Sequence, residues 1–451
     1  MKRLVVIMMV TFSIVACKNE PKVEYALLSG KIVNPKGQSA VIYKGQNKVA
    51  ELNVAADGTF ADTLTIETGY YTFVHGRENA SIYLAQGNDL TMSLNTAKFD
   101  ESITYVGNGA ENNNYLVKKY LVDEKESGDF VAVYTMEEND FIAKLNAIKD
   151  AKKKVFDEAT NLSDEFKELE KKNLEFEHLL NLQNYPSYHE YYAKKDGFEA
   201  SKDLMKPLAS IDYNNAEYYD ELSNYRRLVQ NHYANKIRES EAPSKVFDEV
   251  LANGFPKLKE DLSKMLNYEI SPNNEYNEAY YKGLLAMSTD EAFKAKLTKK
   301  YEKVKLLAKG MPSPAFIDYE NHKGGTMSLE DLRGKYVYVD VWATWCGPCK
   351  REIPYLKEVE QKYHEKNIAF VSTSIDKSKD HNVWVEMVKD KQLGGIQLFA
   401  DNDWNSKFVT DYAIEGIPRF LLIDPEGQIV TADAPRPSDP KLIKMFEELK
   451  L

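Results

Sequence analysis

Residues Tyr336 to Trp342 read Tyr-Val-Tyr-Val-Asp-Val-Trp, and after three more residues the chain runs Cys346-Gly347-Pro348-Cys349-Lys350. So unbroken an apolar run suits a strand covered on both faces in the middle of a buried sheet. A helical pattern from Gly347 to about Lys366 follows, which puts Cys346 at a helix N-terminus and Cys349 one turn along. Unpaired N–H groups and the helix dipole favour a thiolate there, so Cys346 is the expected nucleophile. It would attack a disulfide to give a mixed disulfide that Cys349, expected to be less exposed, resolves. Asp340 lies inside the apolar run, where a charged carboxylate is costly; its pKa is expected to be raised, as suits a proton acceptor. The alternative is a strand-end aspartate paired with a lysine.

The α/β pattern around this segment occupies residues 308–451 and opens at Gly310-Met311-Pro312-Ser313-Pro314, where a preceding helical pattern stops. It predicts strands over 316–319, 336–342, 368–374, 419–423 and 428–431, a capped helix start at Ser328, and helices over 347–366, 382–391 and 442–449. The stretch Val339-Asp340-Val341-Trp342-Ala343-Thr344-Trp345-Cys346-Gly347-Pro348-Cys349-Lys350 closely resembles the thioredoxin active-site segment, and Gly416-Ile417-Pro418 resembles that fold's cis-proline loop. With Arg351-Glu352-Ile353-Pro354, the region resembles the membrane-tethered TlpA/ResA-type thiol-disulfide oxidoreductases. The resemblance implies a thioredoxin fold, a redox-active Cys346–Cys349 pair and Asp340 relaying the Cys349 proton. It also implies a cis Ile417-Pro418 bond whose backbone groups pair with an extended substrate; an ordinary trans turn proline is the alternative. Trp345, Gly347 and Pro348 would shape the substrate surface, and Glu352 is either an acid behind the cysteines or a solvated helix residue. A peroxidase pattern Pro-x-x-x-Thr-x-x-Cys fails, because Val339 and Ala343 stand where Pro and Thr should.

With 451 residues the chain is about three times the usual domain size, so further domains precede this one. Residues 25–110 show short runs rich in Val, Ile, Thr, Tyr and Leu, at 25–33, 39–43, 59–66, 70–75 and 90–94. Turn signals such as Asn34-Pro35-Lys36-Gly37 and Asp57-Gly58 separate them, which predicts a small β-sandwich. From 111 to 307 the composition turns to Lys, Glu, Leu, Ala and Tyr with helical spacing, as in Phe141, Leu145, Ile148 and Ala151. The lysines at 152–154 are expected on a solvated face. The overall expectation is a multidomain chain: an all-β module, an α-helical region and a C-terminal α/β thioredoxin fold.

The N-terminus has Lys2 and Arg3 before the apolar run Leu4 to Val15, too short to span a bilayer but suited to a secretory signal. Its end, Ile14-Val15-Ala16-Cys17, resembles the lipobox of bacterial lipoproteins. That implies a signal peptide over 1–16, lipidation of Cys17 and a tether over 17–24. Of three cysteines only Cys346 and Cys349 would then remain, too few for a disulfide framework. The seven histidines show no helical metal-pair spacing and are mostly expected at the surface, so neither a metal nor a cofactor is expected. A net charge of -11 disfavours a nucleic-acid partner. The expected protein is anchored at the periplasmic side of a Gram-negative envelope and reduces protein disulfides, with an integral membrane electron donor and, as the resemblance implies, a role in cytochrome c maturation. Two other readings stay open: an oxidase or isomerase using the same residues, or a partner-binding lipoprotein in which the thioredoxin domain is accessory.

Overall fold

The structure, a computed structural model, describes residues 23–451. The signal-peptide segment and Cys17 lie outside the described residues. The chain divides into two compact units, the first ending at Val229 and the second spanning Gln230–Leu451. The region 111–307 is largely helical, but its helices are shared between the units.

The first unit opens with strands β1 (Tyr25–Val33), β2 (Ser39–Lys44), β3 (Asn47–Asn53), β4 (Thr59–Thr65), β5 (Gly69–His75), β6 (Glu78–Leu84), β7 (Asp89–Asn95) and β8 (Thr104–Asn108). They form two four-stranded sheets, ordered β4-β1-β7-β8 and β3-β2-β5-β6. Alternating residues such as Ala26, Leu28, Ile42, Phe73, Ile82 and Met92 fill a shared core, which makes the expected β-sandwich. Helices α1 (Ala110–Ser127), α2 (Glu138–Glu158) and α3 (Asp164–Ala193) follow. Asn113 on α1 imitates a strand partner: its amide donates to Tyr83 O and its carbonyl accepts from Tyr83 N, both at 2.8 Å. Buried Glu170 on α3 accepts from Tyr115 Oη at 2.9 Å, Lys119 Nζ at 2.6 Å and the Tyr70 hydroxyl.

Two expectations fail in this unit. Lys152 is not solvated: it is 5% exposed and held between Asp123 at 2.5 Å and Glu177 at 2.7 Å, so the opposite charges of neighbouring helices offset its desolvation. His75 and His189 are buried, each with a ring nitrogen near a backbone carbonyl, Ser39 O at 2.9 Å and Tyr134 O at 3.0 Å. Among the described histidines only His364 is exposed rather than buried or half-buried.

In the second unit a seven-stranded mixed sheet has the order β10-β9-β13-β12-β11-β14-β15. Its strands are β9 (Tyr319–Asn321), β10 (Thr326–Met327), β11 (Tyr336–Trp342), β12 (Ile368–Ser374), β13 (Ile396–Phe399), β14 (Arg419–Ile423) and β15 (Ile429–Thr431). Helices α4 (Gly347–Tyr363), α5 (His381–Asp390) and α6 (Pro440–Glu448) accompany it. Strand β11 lies parallel to β12 and antiparallel to β14, so both its edges are hydrogen-bonded. Val337, Val339 and Val341 face one core, while Tyr338 enters the opposite one with Leu356 and Val359 of α4 and Phe446 of α6. By strand alternation Asp340 points with Tyr338 toward α4. The first strand begins at Tyr319 rather than Phe316, which instead plugs the core as a non-strand residue.

Helices from the region before residue 308 also belong to this unit. Asn273 donates to Asp433 O at 2.7 Å and accepts from Thr431 Oγ1 at 3.0 Å, and Lys303 Nζ donates to Thr410 O at 2.9 Å. Leu307 sits in the same core cluster as the valines of β11.

Candidate active site

The parallel pair β11 and β12 ends at one edge of the sheet, and the loop after β11 turns there into α4. Asp376, just beyond β12 and fully buried, clamps that loop: it accepts from Thr344 N at 2.8 Å, Thr344 Oγ1 at 2.7 Å and Ser374 Oγ at 2.7 Å. Cys346 N donates to Ala343 O at 3.0 Å, closing a tight turn, and Cys346 caps α4 with its Sγ accepting from Cys349 N at 3.1 Å. Pro348 stands in the first turn of the helix, where the N–H it lacks would have no intrahelical acceptor. A Cβ on Gly347 would meet open space, so that position leaves the approach to the sulfurs uncrowded.

Cys346 and Cys349 are joined as a disulfide with their Cα atoms 5.3 Å apart. Each is 4% exposed, so the expectation that Cys349 is the more covered does not hold in the oxidised chain. Trp345 beside them is 54% exposed, its ring 6.4 Å from that of Trp404. The Ile417-Pro418 peptide is cis, and Ile417 packs on the core cluster that contains both cysteines.

Asp340 is 8% exposed and has no lysine partner; its one hydrogen bond is a long one, from Ser372 Oγ at 3.5 Å, and Oδ1 is buried without a partner. Burial pushes its pKa up to about 8, with the carboxylates of Glu352 and Glu360 adding to the rise and Ser372 opposing it. Between Asp340 and Cys349 lies a cavity of about 10 Å³, the space of roughly one water. Trp342, Glu360, Ser372 and Gln397 also line it, and Trp342 Nε1 and Gln397 Oε1 are buried without a partner. Glu352 is buried and bound to Ser438, accepting from its N and its Oγ at 3.0 Å each, rather than solvated.

The described residues singled out in the sequence thus gather around β11 and the start of α4, while Cys17 lies outside the described residues. Asp376, Glu360, Gln397 and Trp404 were not foreseen. For Asp376 there was a signal, an acid two residues past the end of a buried strand; for Glu360 there was none, since its spacing on α4 matches that of solvated neighbours.

Residues 308–445 match the Redoxin family. The thiol-disulfide oxidoreductase ResA of Bacillus thuringiensis is 30% identical over 121 residues, 27% of this chain and 66% of that protein. ResA of Oceanobacillus iheyensis is 35% identical over 106 residues, 23% of this chain and 52% of that protein. The chain therefore spans at most about two thirds of the curated relatives it matches. A solution structure of a candidate thiol-disulfide oxidoreductase from Bacteroides vulgatus is 52% identical, covering 31% of this chain and 90% of that one, with a TM-score of 0.28. Fold, motif and family match agree, and residues 308–445 are a Redoxin domain, thioredoxin-like and of the TlpA/ResA type.

Proposed function

We propose that the chain is a lipid-anchored thiol-disulfide oxidoreductase that reduces protein disulfides outside the cytoplasm through Cys346 and Cys349. The observation that carries this reading is the Cys346–Cys349 pair at the N-terminus of a 17-residue helix, with Cys346 Sγ accepting a backbone N–H and a buried carboxyl of raised pKa across a small cavity. The same N–H and the helix dipole favour the Cys346 thiolate once the pair is reduced.

In the proposed cycle the Cys346 thiolate attacks a substrate disulfide and forms a mixed disulfide. Cys349 gives its proton toward Asp340 and attacks Cys346 Sγ, so that the substrate leaves as a thiolate and the enzyme disulfide forms. The substrate gains two electrons and the enzyme dithiol loses them; an integral membrane donor restores the dithiol. Trp345 and the cis Ile417-Pro418 loop, with Gly347 and Pro348, form the proposed docking surface for an extended substrate segment. The Gly-Pro dipeptide, identical to thioredoxin's, favours a reductant. Anchoring through Cys17 and a periplasmic position rest on the N-terminal segment; no helix among the described residues is long and apolar enough to cross a membrane. A role in cytochrome c maturation follows the family resemblance.

The direct experiment is Cys349→Ser in cells, followed by non-reducing separation. The reading expects mixed disulfides between Cys346 and envelope proteins to accumulate and to vanish in Cys346→Ser/Cys349→Ser. Adducts that persist in the double variant, or none at all, overturn it.

A further inference from the structure

Resting on that reading, we propose that Glu360 is the outlet for the Asp340 proton, accepting it through the small cavity and passing it to solvent. Asp340 is buried and touches no exposed donor or acceptor, so a proton taken from Cys349 has no direct way out. Glu360 lines the same cavity as Asp340 and Cys349 and is itself only partly buried, which gives one side chain access to both the cavity and water. Gln397 and Trp342 supply further polar atoms to the passage.

The backbone keeps space for this carboxylate. A Cβ on Gly394 would lie 2.1 Å from Glu360 Oε2, and one on Gly395 2.8 Å from Oε1, so the Gly-Gly turn before β13 is what lets the side chain lie inward. The charged groups facing it are Lys357 on its own helix, Lys323 after β9 and Asp340 on β11. Burial raises the Glu360 pKa to about 7 against the pull of the two lysines, close to that of Asp340, so a proton can move between them without a large free-energy step.

In the resolving step the Cys349 S–H proton goes to the Asp340 carboxylate and the sulfur pair forms as the substrate thiolate leaves. Asp340 then hands the proton to Glu360, which loses it to water. Both carboxyl groups end ionised to the extent they began, and the electrons move only from the dithiol to the substrate disulfide.

The test is single-turnover oxidation of the reduced full chain by glutathione disulfide, with acid quenching and mass analysis of the glutathione adduct on Cys346. Glu360→Gln should leave adduct formation within about twofold of wild type, slow adduct decay about tenfold at pH 7, and make the decay responsive to added imidazole buffer. Gly394→Ala, which drives the carboxylate outward without removing it, should slow decay in the same way. In the oxidised chain, carbon-13 titration should show the Asp340 midpoint moving down in Glu360→Gln, because a like charge has gone. A purely structural role gives no buffer response. Wild-type decay with an unchanged pH profile in both variants, or an unmoved Asp340 midpoint, overturns the proposal while leaving the exchange reading intact. A wild-type chain that never forms the adduct overturns both.

Discussion

Replacing Asp340 by Asn should stabilise the second unit, and increasingly so as pH rises. In the unfolded chain the carboxyl titrates near its ordinary value of 3.8, whereas in the native chain burial raises it to about 8. The native state therefore holds a proton that the unfolded state releases between roughly pH 4 and pH 8, and stability falls with rising pH across that window. Each pKa unit is worth about 1.4 kcal/mol, so the cost to the wild type at pH 7 is at most about 4 kcal/mol. An amide also loses hydration on burial, so the net gain from Asp340→Asn at pH 7 should be about 2–4 kcal/mol, shrinking toward zero at pH 4. All four tryptophans, Trp342, Trp345, Trp384 and Trp404, lie in the second unit, so urea unfolding followed by tryptophan fluorescence reports this unit alone. The oxidised forms of both proteins should be compared at pH 5, 6, 7 and 8. A gain that does not change with pH, or a variant less stable than wild type at pH 8, refutes the account of Asp340.

Asp376→Ala should cost the second unit about 2–5 kcal/mol, because it strands the Thr344 N–H and two hydroxyls inside the protein, and should slow Cys346 attack by loosening the loop before it; denaturant unfolding and adduct-formation rates check both. A fragment of residues 308–451 loses Leu307 from the core and the bonds from Asn273 and Lys303, so it should unfold at lower urea than a fragment of 230–451. Both fragments should still reduce a small generic disulfide, whereas loss of residues 25–229 should alter reduction of the physiological protein partner.

Legibility in the sequence followed burial. Strands β1, β11, β12 and β14 matched their expected limits, because a strand covered on one or both faces must write apolar residues at every second or every position. Strands β3, β6 and β8, all at sheet edges, were not among the expected runs: β3 and β8 bury one side chain each, Leu52 or Tyr105, and β6 bunches its buried Ile82, Tyr83 and Leu84 at one end, so none shows an alternation. The four-residue β13 was also missed, being too short for a period to show. The cysteine pair and Asp340 stood out because each breaks a local rule, paired thiols at a helix start and a charge in an apolar strand, whereas the Ile417-Pro418 loop was legible only through its resemblance to the thioredoxin cis-proline loop. Lys152 and Glu360 break none. Each sits on a helix among charged neighbours, and only tertiary packing turns one into a buried ion pair and the other toward a cavity.

The central claim is that Cys346 and Cys349 form a reducing couple, and the reduction potential of that pair tests it most directly. Equilibration of the chain with glutathione or dithiothreitol buffers should give a value near thioredoxin's, about -270 mV, as expected for a reductant recharged by a dedicated donor. A value near that of DsbA, about -120 mV, would make the protein an oxidant and contradict the account.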